Sequence, residues 1–403
     1  MNLPKGWEEK ELGDVCEIKG GKRLPKGTTF STNKTPRPYL RVVDMSNKSI
    51  SLKNIQYIDE ETFKKIKNYT ISHNDVYITI AGTIGLCGII PSDLDGASLT
   101  ENAAKIIIND IQKLDKKFLV YALDTREVKH QISKLTGVVG VPKLALFRIK
   151  KLKIPLPSLP TQCKIVAILE KAEAIKQKRQ QIEEYTNQVL QSFFIEMFGE
   201  PETNPKKWEL KSLGEVSDKI TDGKHGDCAN LQDSGYYFIS AKDLINGHIN
   251  YINARQIQKE DFLEVHKRTD LDLGDVLISN SGTIGKIALA TDADKVRKTT
   301  FQKSVAIIKN KKQILGAHFL ATLLNLNKNT LTKASSGSSQ KNLLLGDLKK
   351  HEIILPPISL QQKFACIYEK FELIKQKQQE NQKYSEELFN SLMQRAFAGE
   401  LVN

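Results

Sequence analysis

The sequence predicts an α+β protein built twice: two similar domains, each feeding a long helix, the two helices pairing antiparallel as a coiled coil under an internal pseudo-twofold. Three observations predict it. Four sequence blocks recur in the same order at a near-constant offset of 199 to 201 residues. Each copy closes in a long stretch whose apolar positions step alternately by three and four. Each copy also carries short apolar runs ended by glycine, the mark of buried strands.

The repeats set the organisation. Pro4-Lys5-Gly6-Trp7, followed by Leu12-Gly13-Asp14-Val15, returns as Pro205-Lys206-Lys207-Trp208 and Leu213-Gly214-Glu215-Val216. The run 75–85, ending Gly82-Thr83-Ile84-Gly85, returns as 275–285, ending Gly282-Thr283-Ile284-Gly285. Residues 149–157 return as 348–356, and Ile175-Lys176-Gln177-Lys178 as Ile374-Lys375-Gln376-Lys377. A period this long excludes a solenoid. The expected division is a first domain over 1–158, a helix over 159–200, a second domain over 201–357 and a second helix over 358–403.

Within each domain the runs 75–80, 275–279, 105–108 and 304–308 read as strands, and 118–135 and 317–331 as helices. Glycine-rich turns cut the remainder into short pieces. The first long helix is expected from about Thr161 to Phe198. Its heptad seam reads Ile165, Ile168, Ala172, Ile175, Arg179, Ile182, Thr186, Val189 and Phe193. The second is expected from about Leu360 to Ala398, with Phe364, Ile367, Phe371, Ile374, Gln378, Asn381, Ser385, Leu388 and Leu392 in the same frame. Each would be about 55 Å long. Prolines precede both helices, Ser359 and Gln362 have capping-box spacing, and Gly199 and Gly399 mark the ends. Alternatively, each stripe packs only on its own domain.

Lys and Arg exceed Asp and Glu by 13, and the pI is about 9.2. That surplus favours a polyanion, nucleic acid before membrane. The five cysteines are scattered with no CxxC pair, which reads as reduced thiols of a cytoplasmic protein. No signal-peptide core or membrane-length apolar run is visible.

No catalytic pattern holds. Gly282 to Lys286 is too short for a phosphate loop, and its counterpart in the first copy has Leu86 in place of Lys286. The seven histidines have no metal-ligand spacing. What remains suits binding. Lys22 and Arg23 follow two glycines, and Lys224 and His225 follow one, where a backbone can approach a phosphate. Arg41 and Lys242 stand in matching places after apolar runs. Thr83 and Thr283 sit in the recurrent turn, with Asn280 and Ser281 before the second. Lys143 closes one loop, Gln340 and Lys341 another, and amides and cations read purine edges. Phe193, Phe194, Met197 and Phe198 end the first helix, and Phe389, Leu392, Met393 and Phe397 the second. They are read as a partner-protein surface or as contact with the neighbouring domain.

Taken together, the opening Pro-x-x-Trp block, the internal Gly-Thr-Ile-Gly, the closing Pro-rich strand and the long helix, all twice, resemble the specificity subunit of type I restriction-modification systems. The likeness covers essentially the whole chain. It implies two target-recognition domains, each reading half of an asymmetric bipartite DNA site, with paired helices as a fixed spacer; a rod of about 55 Å spans roughly 16 base pairs, enough to set two half-sites about one helical turn apart. It also implies no catalysis or cofactor in this chain. Methyltransferase subunits would hold S-adenosylmethionine, and restriction subunits ATP and Mg. The rival readings are a stand-alone DNA-binding regulator and a coiled-coil scaffold with incidental charge.

Overall fold

A computed structural model describes residues 3–136, 142–333 and 342–401. The chain forms two compact units, Met1–Arg179 with Asn381–Asn403, and Gln180–Glu380. Each unit is one α+β domain plus half of each long helix.

In unit 1 an antiparallel sheet runs in the order Cys16–Gly20, Ala103–Ile108, Val76–Thr79, Cys87–Ile89. A second sheet orders Gln56–Tyr57, Pro38–Leu40, Ala97–Leu99 and Thr70–Ile71, its central pair parallel. Glu8–Glu11 pairs with Lys153–Leu156, tying the start of the domain to the strand that leads into the long helix. Unit 2 repeats the plan. Leu210–Ser212 pairs with Glu352–Ile354, and Tyr237–Ile239 lies parallel to Thr299–Phe301. Its main sheet orders Ser217–Asp222, Val305–Asn310, Val276–Ser279 and Ile287–Leu289, then adds Gly247–Ile249 and Leu244–Ile245. Val76–Thr79 and Val276–Ser279 are buried throughout, which is why both read as unbroken apolar runs.

Each expected domain helix is two helices. Lys116–Asp124 and Arg126–Leu135 meet at Thr125, whose hydroxyl donates to the Ala122 carbonyl and accepts from the Val128 N–H. One side chain thus ends one helix and caps the next. Ala317–Leu326 and Lys328–Lys333 meet at Asn327, whose backbone N–H donates to the Leu323 carbonyl.

The long helices span Leu159–Phe198 and Ile358–Phe397. Both start two residues before Thr161 and Leu360, the expected starts of the apolar stretches, so Ser359 lies inside the second and does not cap it. Buried glutamines anchor the first turns instead. Gln162 Nε2 donates to the Lys113 and Pro157 carbonyls, and its Oε1 accepts from the Asp115 N–H. Gln361 does the same with Ile314, Pro356 and Gly316.

Ile165, Ala172, Thr186, Phe364 and Ser385 of the expected seam are buried, but elsewhere it needs correcting by one residue. Ile175, Ile182 and Val189 are 46 to 48% exposed, and Ile374 and Leu388 are 45 and 54% exposed. The buried line passes through Leu169, Ala172, Thr186, Leu190 and Phe194 on the first helix, and through Phe364, Tyr368, Ser385, Phe389 and Met393 on the second. The middle is polar and antiparallel. Within unit 1 Arg179 donates to the Asn381 carbonyl and the Ser385 hydroxyl, and Lys176 lies 3.5 Å from Glu386. Within unit 2 Gln378 Nε2 donates to Thr186 Oγ1 at 2.8 Å. Such buried polar pairs favour one register at some cost in stability.

The aromatic helix ends are core. Phe194 and Phe198 are fully buried against Phe319 and Phe364, with ring centroids 4.8 to 5.6 Å apart. Phe389 and Met393 are buried in the core of unit 1, where Phe397 packs on Phe118 at 5.4 Å. Met197 and Leu392 pack partly buried at the edges of these cores, and Phe193 meets Phe371 at 5.9 Å. Of the eight residues read as a partner surface, Phe194, Phe198, Phe389 and Met393 are thus withdrawn from it: the hydrophobic effect places them inside their own unit.

Candidate nucleic-acid interface

In each unit the strand centred on the sheet begins between two loops. In unit 1 Gly21 N–H donates to the Ala103 carbonyl, while Ile80 and Ala81 N–H donate to Asn102. In unit 2 Gly223 N–H donates to Val305 and Asn280 N–H to Ser304. The glycine loop and the Gly-Thr-Ile-Gly turn therefore lie side by side at one end of the sheet.

The glycine is obligatory in both loops. A Cβ on Gly21 would fall 2.1 Å from the Thr100 carbonyl oxygen, and one on Gly223 would fall 1.8 Å from that of Phe301. The next residue docks its backbone there, Lys22 N–H on Leu99 and Lys224 N–H on Phe301. The two turns are also copies. Thr79 Oγ1 accepts from Leu86 N–H, and Ser279 Oγ from Lys286 N–H, both at 2.9 Å, and each hydroxyl donates to the carbonyl of Thr83 or Thr283. Gly82, Gly85, Gly282 and Gly285 have positive φ, so the turn holds Thr83 and Thr283 at exposed tips. Lys143, exposed, bridges Ala81, as Asn342 bridges Ser281.

The structure thus gathers Lys22, Arg23, Thr83 and Lys143 at one sheet end, and Lys224, His225, Ser281 and Thr283 at the other. Their electrostatics differ. Lys22 is exposed, with its Nζ 5.5 Å from the Tyr69 ring. Arg23 donates to Glu101 at 2.6 Å. Burial raises the Glu101 carboxyl, but the bonds from Arg23, its own backbone N–H and Thr100, with the Arg23 charge, together leave the group below its ordinary value. In unit 2 Lys224 lies 3.1 Å from Glu264 and 3.8 Å from Asp261, and the Glu264 bond raises its pKa. His225 lies 3.2 Å from Asp222.

Three expected residues sit elsewhere. Arg41 bonds both oxygens of buried Asp44 at 2.8 and 3.0 Å and the Asn54 carbonyl at 2.8 Å, so its guanidinium is committed internally. Its true counterpart is Ser240, because Asp44 accepts from Arg41 N–H as Asp243 accepts from Ser240 N–H. Lys242 is exposed where unit 1 has Val43. Asn280 is buried, its backbone carbonyl accepting from Leu343 N–H and its side-chain oxygen unpartnered. Gln340 and Lys341 fall outside the described residues. Sequence reading missed Arg268, which donates to the Gly223 carbonyl from a helix 45 residues away, and Phe147, exposed four residues after Lys143. No local pattern announces the first.

The charge surplus sits in the two domains and not in the long helices. Residues 1–158 hold 26 Lys and Arg against 17 Asp and Glu, and residues 201–357 hold 23 against 18. The helix segments 159–200 and 358–403 are near neutral, 5 against 6 and 6 against 6. Among the described residues no cluster of His, Cys, Asp or Glu is placed to hold a metal, and no helix is long and apolar enough to cross a membrane.

Two like domains with basic loop ends, mounted on paired neutral helices, define a duplicated recognition protein. The family comparison gives it a place: the chain belongs to the type I restriction modification DNA specificity domain family, whose model matches residues 4–184 and 205–383. Its two domains are DNA specificity domains of a type I restriction-modification system. It is similar to the MjaIX specificity subunit of Methanocaldococcus jannaschii, 22% identical over 389 residues, covering 91% of this chain and 86% of that protein. It is also similar to the EcoBI specificity subunit of Escherichia coli, 24% identical over 202 residues, covering 49% and 42%. The fold matches the S subunit from M. genitalium at a TM-score of 0.54 with 15% identity, covering 98% of this chain and 96% of that one. A chain of a type I R-M system solved for its assembly and conformational transition matches at 0.58 with 20% identity, covering 99% and 100%.

Proposed function

We propose that this chain reads an asymmetric bipartite DNA site, one half with each domain, and leaves the chemistry to partner subunits. The observation that carries it is one loop architecture built twice with different side chains. Lys22, Arg23 and Ala81 in unit 1 answer to Lys224, His225 and Ser281 in unit 2. The shared backbone frame positions; the changed residues read. Cations beside obligatory glycines hold phosphates while Thr83, Thr283 and Lys143 face the groove.

Methyltransferase subunits carrying S-adenosylmethionine then act on a flipped adenine in each half-site, since base chemistry needs the base out of the stack. Restriction subunits supply ATP-driven translocation and Mg-dependent cleavage. The exposed apolar row beside the seam suits their docking better than the buried helix ends. The register that joins Arg179 to Ser385 sets Ile175 level with Leu388 in unit 1, and the register that joins Thr186 to Gln378 sets Val189 level with Ile374 in unit 2. Unit by unit, the same apolar pair is offered twice.

The test is co-expression with the adenine methyltransferase encoded beside this chain, followed by methylome sequencing. One asymmetric bipartite motif that disappears without this chain supports the reading. A stable complex with no new methylation would favour the regulator or the scaffold reading instead.

A further inference from the structure

Besides the apolar packing of Ile165, Leu169 and Ala172, or of Phe364 and Tyr368, into the domain cores, polar groups of each domain hold its own long helix at two repeated points. The first is the buried glutamine of the opening turn, Gln162 or Gln361. The second lies about three turns further along, at Glu173 or Glu372. In unit 1 a hairpin of Met45–Ser46 and Ser49–Ile50 turns through Asn47 and Lys48, both at positive φ. Its tip reaches the helix: Lys48 Nζ lies 2.8 Å from Glu173 Oε1 and 3.4 Å from Asp124. Tyr121, on a domain helix, donates to Glu173 Oε2 at 2.8 Å. In unit 2 the hairpin of Leu244–Ile245 and Gly247–Ile249 turns through Asn246 and Gly247, again at positive φ. His248 Nε2 lies 2.8 Å from Glu372 Oε2, and Lys375 lies 2.9 Å from Glu372 Oε1.

Glu173 and Glu372 are 199 residues apart, the offset of the helices themselves. Only about a fifth of either carboxylate side chain is exposed. Burial lowers the Lys48 pKa and raises that of Glu372, yet their partners prevail and each stays in its charged direction. The grip is thus chemically different in the two copies, Lys in one and His in the other, but strikes the helix at one repeated place. Apolar packing is non-directional, whereas two polar anchors about three turns apart fix a bearing.

We propose that Glu173 and Glu372 are positioning residues that fix the bearing of each recognition domain on its long helix, and thereby the spacer length accepted between the half-sites. This rests on the bipartite reading above. The whole chain, assembled with its methyltransferase subunits, is tested as wild type, E173A and E372A by methylome sequencing. Wild type must first give a bipartite motif; if it gives none, the functional reading fails before the positioning one is reached. In the variants both half-site sequences persist, while methylation at sites with spacers one base pair longer or shorter rises at least about tenfold. E173Q and E372Q, which keep one acceptor oxygen, recover most of the spacer fidelity. Should E173A or E372A not assemble, Tyr121→Phe and His248→Ala carry the same test, each loosening one grip by a single bond. Assembled variants with an unchanged spacer spectrum would overturn the proposal, because a merely structural role lowers all methylation alike.

Discussion

The two units share a frame and differ in what fills it. At the junction of domain and helices, unit 2 packs four phenylalanines, Phe194, Phe198, Phe319 and Phe364, where unit 1 has Met393, Phe397, Phe118 and Ile165. At the glycine loop, unit 2 surrounds its lysine with Glu264 and Asp261, while Lys22 has no carboxylate partner among the described residues. In unit 1 the Met45–Ile50 hairpin meets the edge of the main sheet through a backbone hydrogen bond, Ile89 N–H to the Lys48 carbonyl, whereas the matching hairpin of unit 2 pairs into the sheet. Positions that hold backbone to backbone are thus copied, and exposed loop positions and positions that fill volume have diverged. Recognition can change at the loop ends without disturbing the mount.

The largest effect that separates the units comes from the core. Phe194→Ala should cost about 4 kcal/mol and Met393→Ala about 3 kcal/mol. In denaturant unfolding each loss should appear in the transition of its own unit; equal loss in both transitions would show that the units do not fold separately. Next come the obligatory glycines. Gly223→Ala and Gly21→Ala each force a methyl into a carbonyl oxygen and should cost about 2 kcal/mol. Each should also abolish reading of one half-site only, visible as a motif degenerate on one side.

A third difference depends on acidity. Burial pushes His266, His318 and His351, all in unit 2, below the ordinary 6.5. A base with a lowered folded pKa binds fewer protons folded than unfolded. Its contribution is full above the unfolded value and is lost as pH falls through and below it. The unfolding midpoint of unit 2 should therefore drop as pH goes from about 7.5 to about 5.5, and H318F should flatten that dependence. The smallest effect concerns single phosphate contacts. Lys22→Gln should lower the salt slope of DNA binding by about one, and Lys224→Gln by less, since Lys224 already has carboxylate partners. Equal slopes would place both lysines on phosphate in the complex.

Much of this was legible in the sequence, and the failures have physical causes. The constant offset exposed the duplication, and the paired glycine loops and turns came with it. The seam was misread by one residue because apolar neighbours stand side by side at Ile168-Leu169, Val189-Leu190 and Phe193-Phe194. Spacing cannot choose between adjacent apolar residues; the domain core does, by burying Leu169, Leu190 and Phe194. Arg41 looked like a ligand cation because its bond to Asp44 is a local cap that charge alone does not reveal. The carboxylates on Lys224 arrive from a helix some 40 residues later, and the Glu173 and Glu372 grips from hairpins more than 120 residues away, beyond any local pattern.

The composition of unit 1 has a consequence for synthesis. Unit 2 is one unbroken stretch, Gln180–Glu380, whereas unit 1 joins Met1–Arg179 to Asn381–Asn403. Phe389, Met393 and Ala396, which complete the core of the first domain, leave the ribosome after every residue of unit 2. The domain translated first is therefore the one finished last. Until the second helix emerges, the faces of Leu169 and Phe118 lack their cover, and the nascent first half depends on the arrival of its own distant tail.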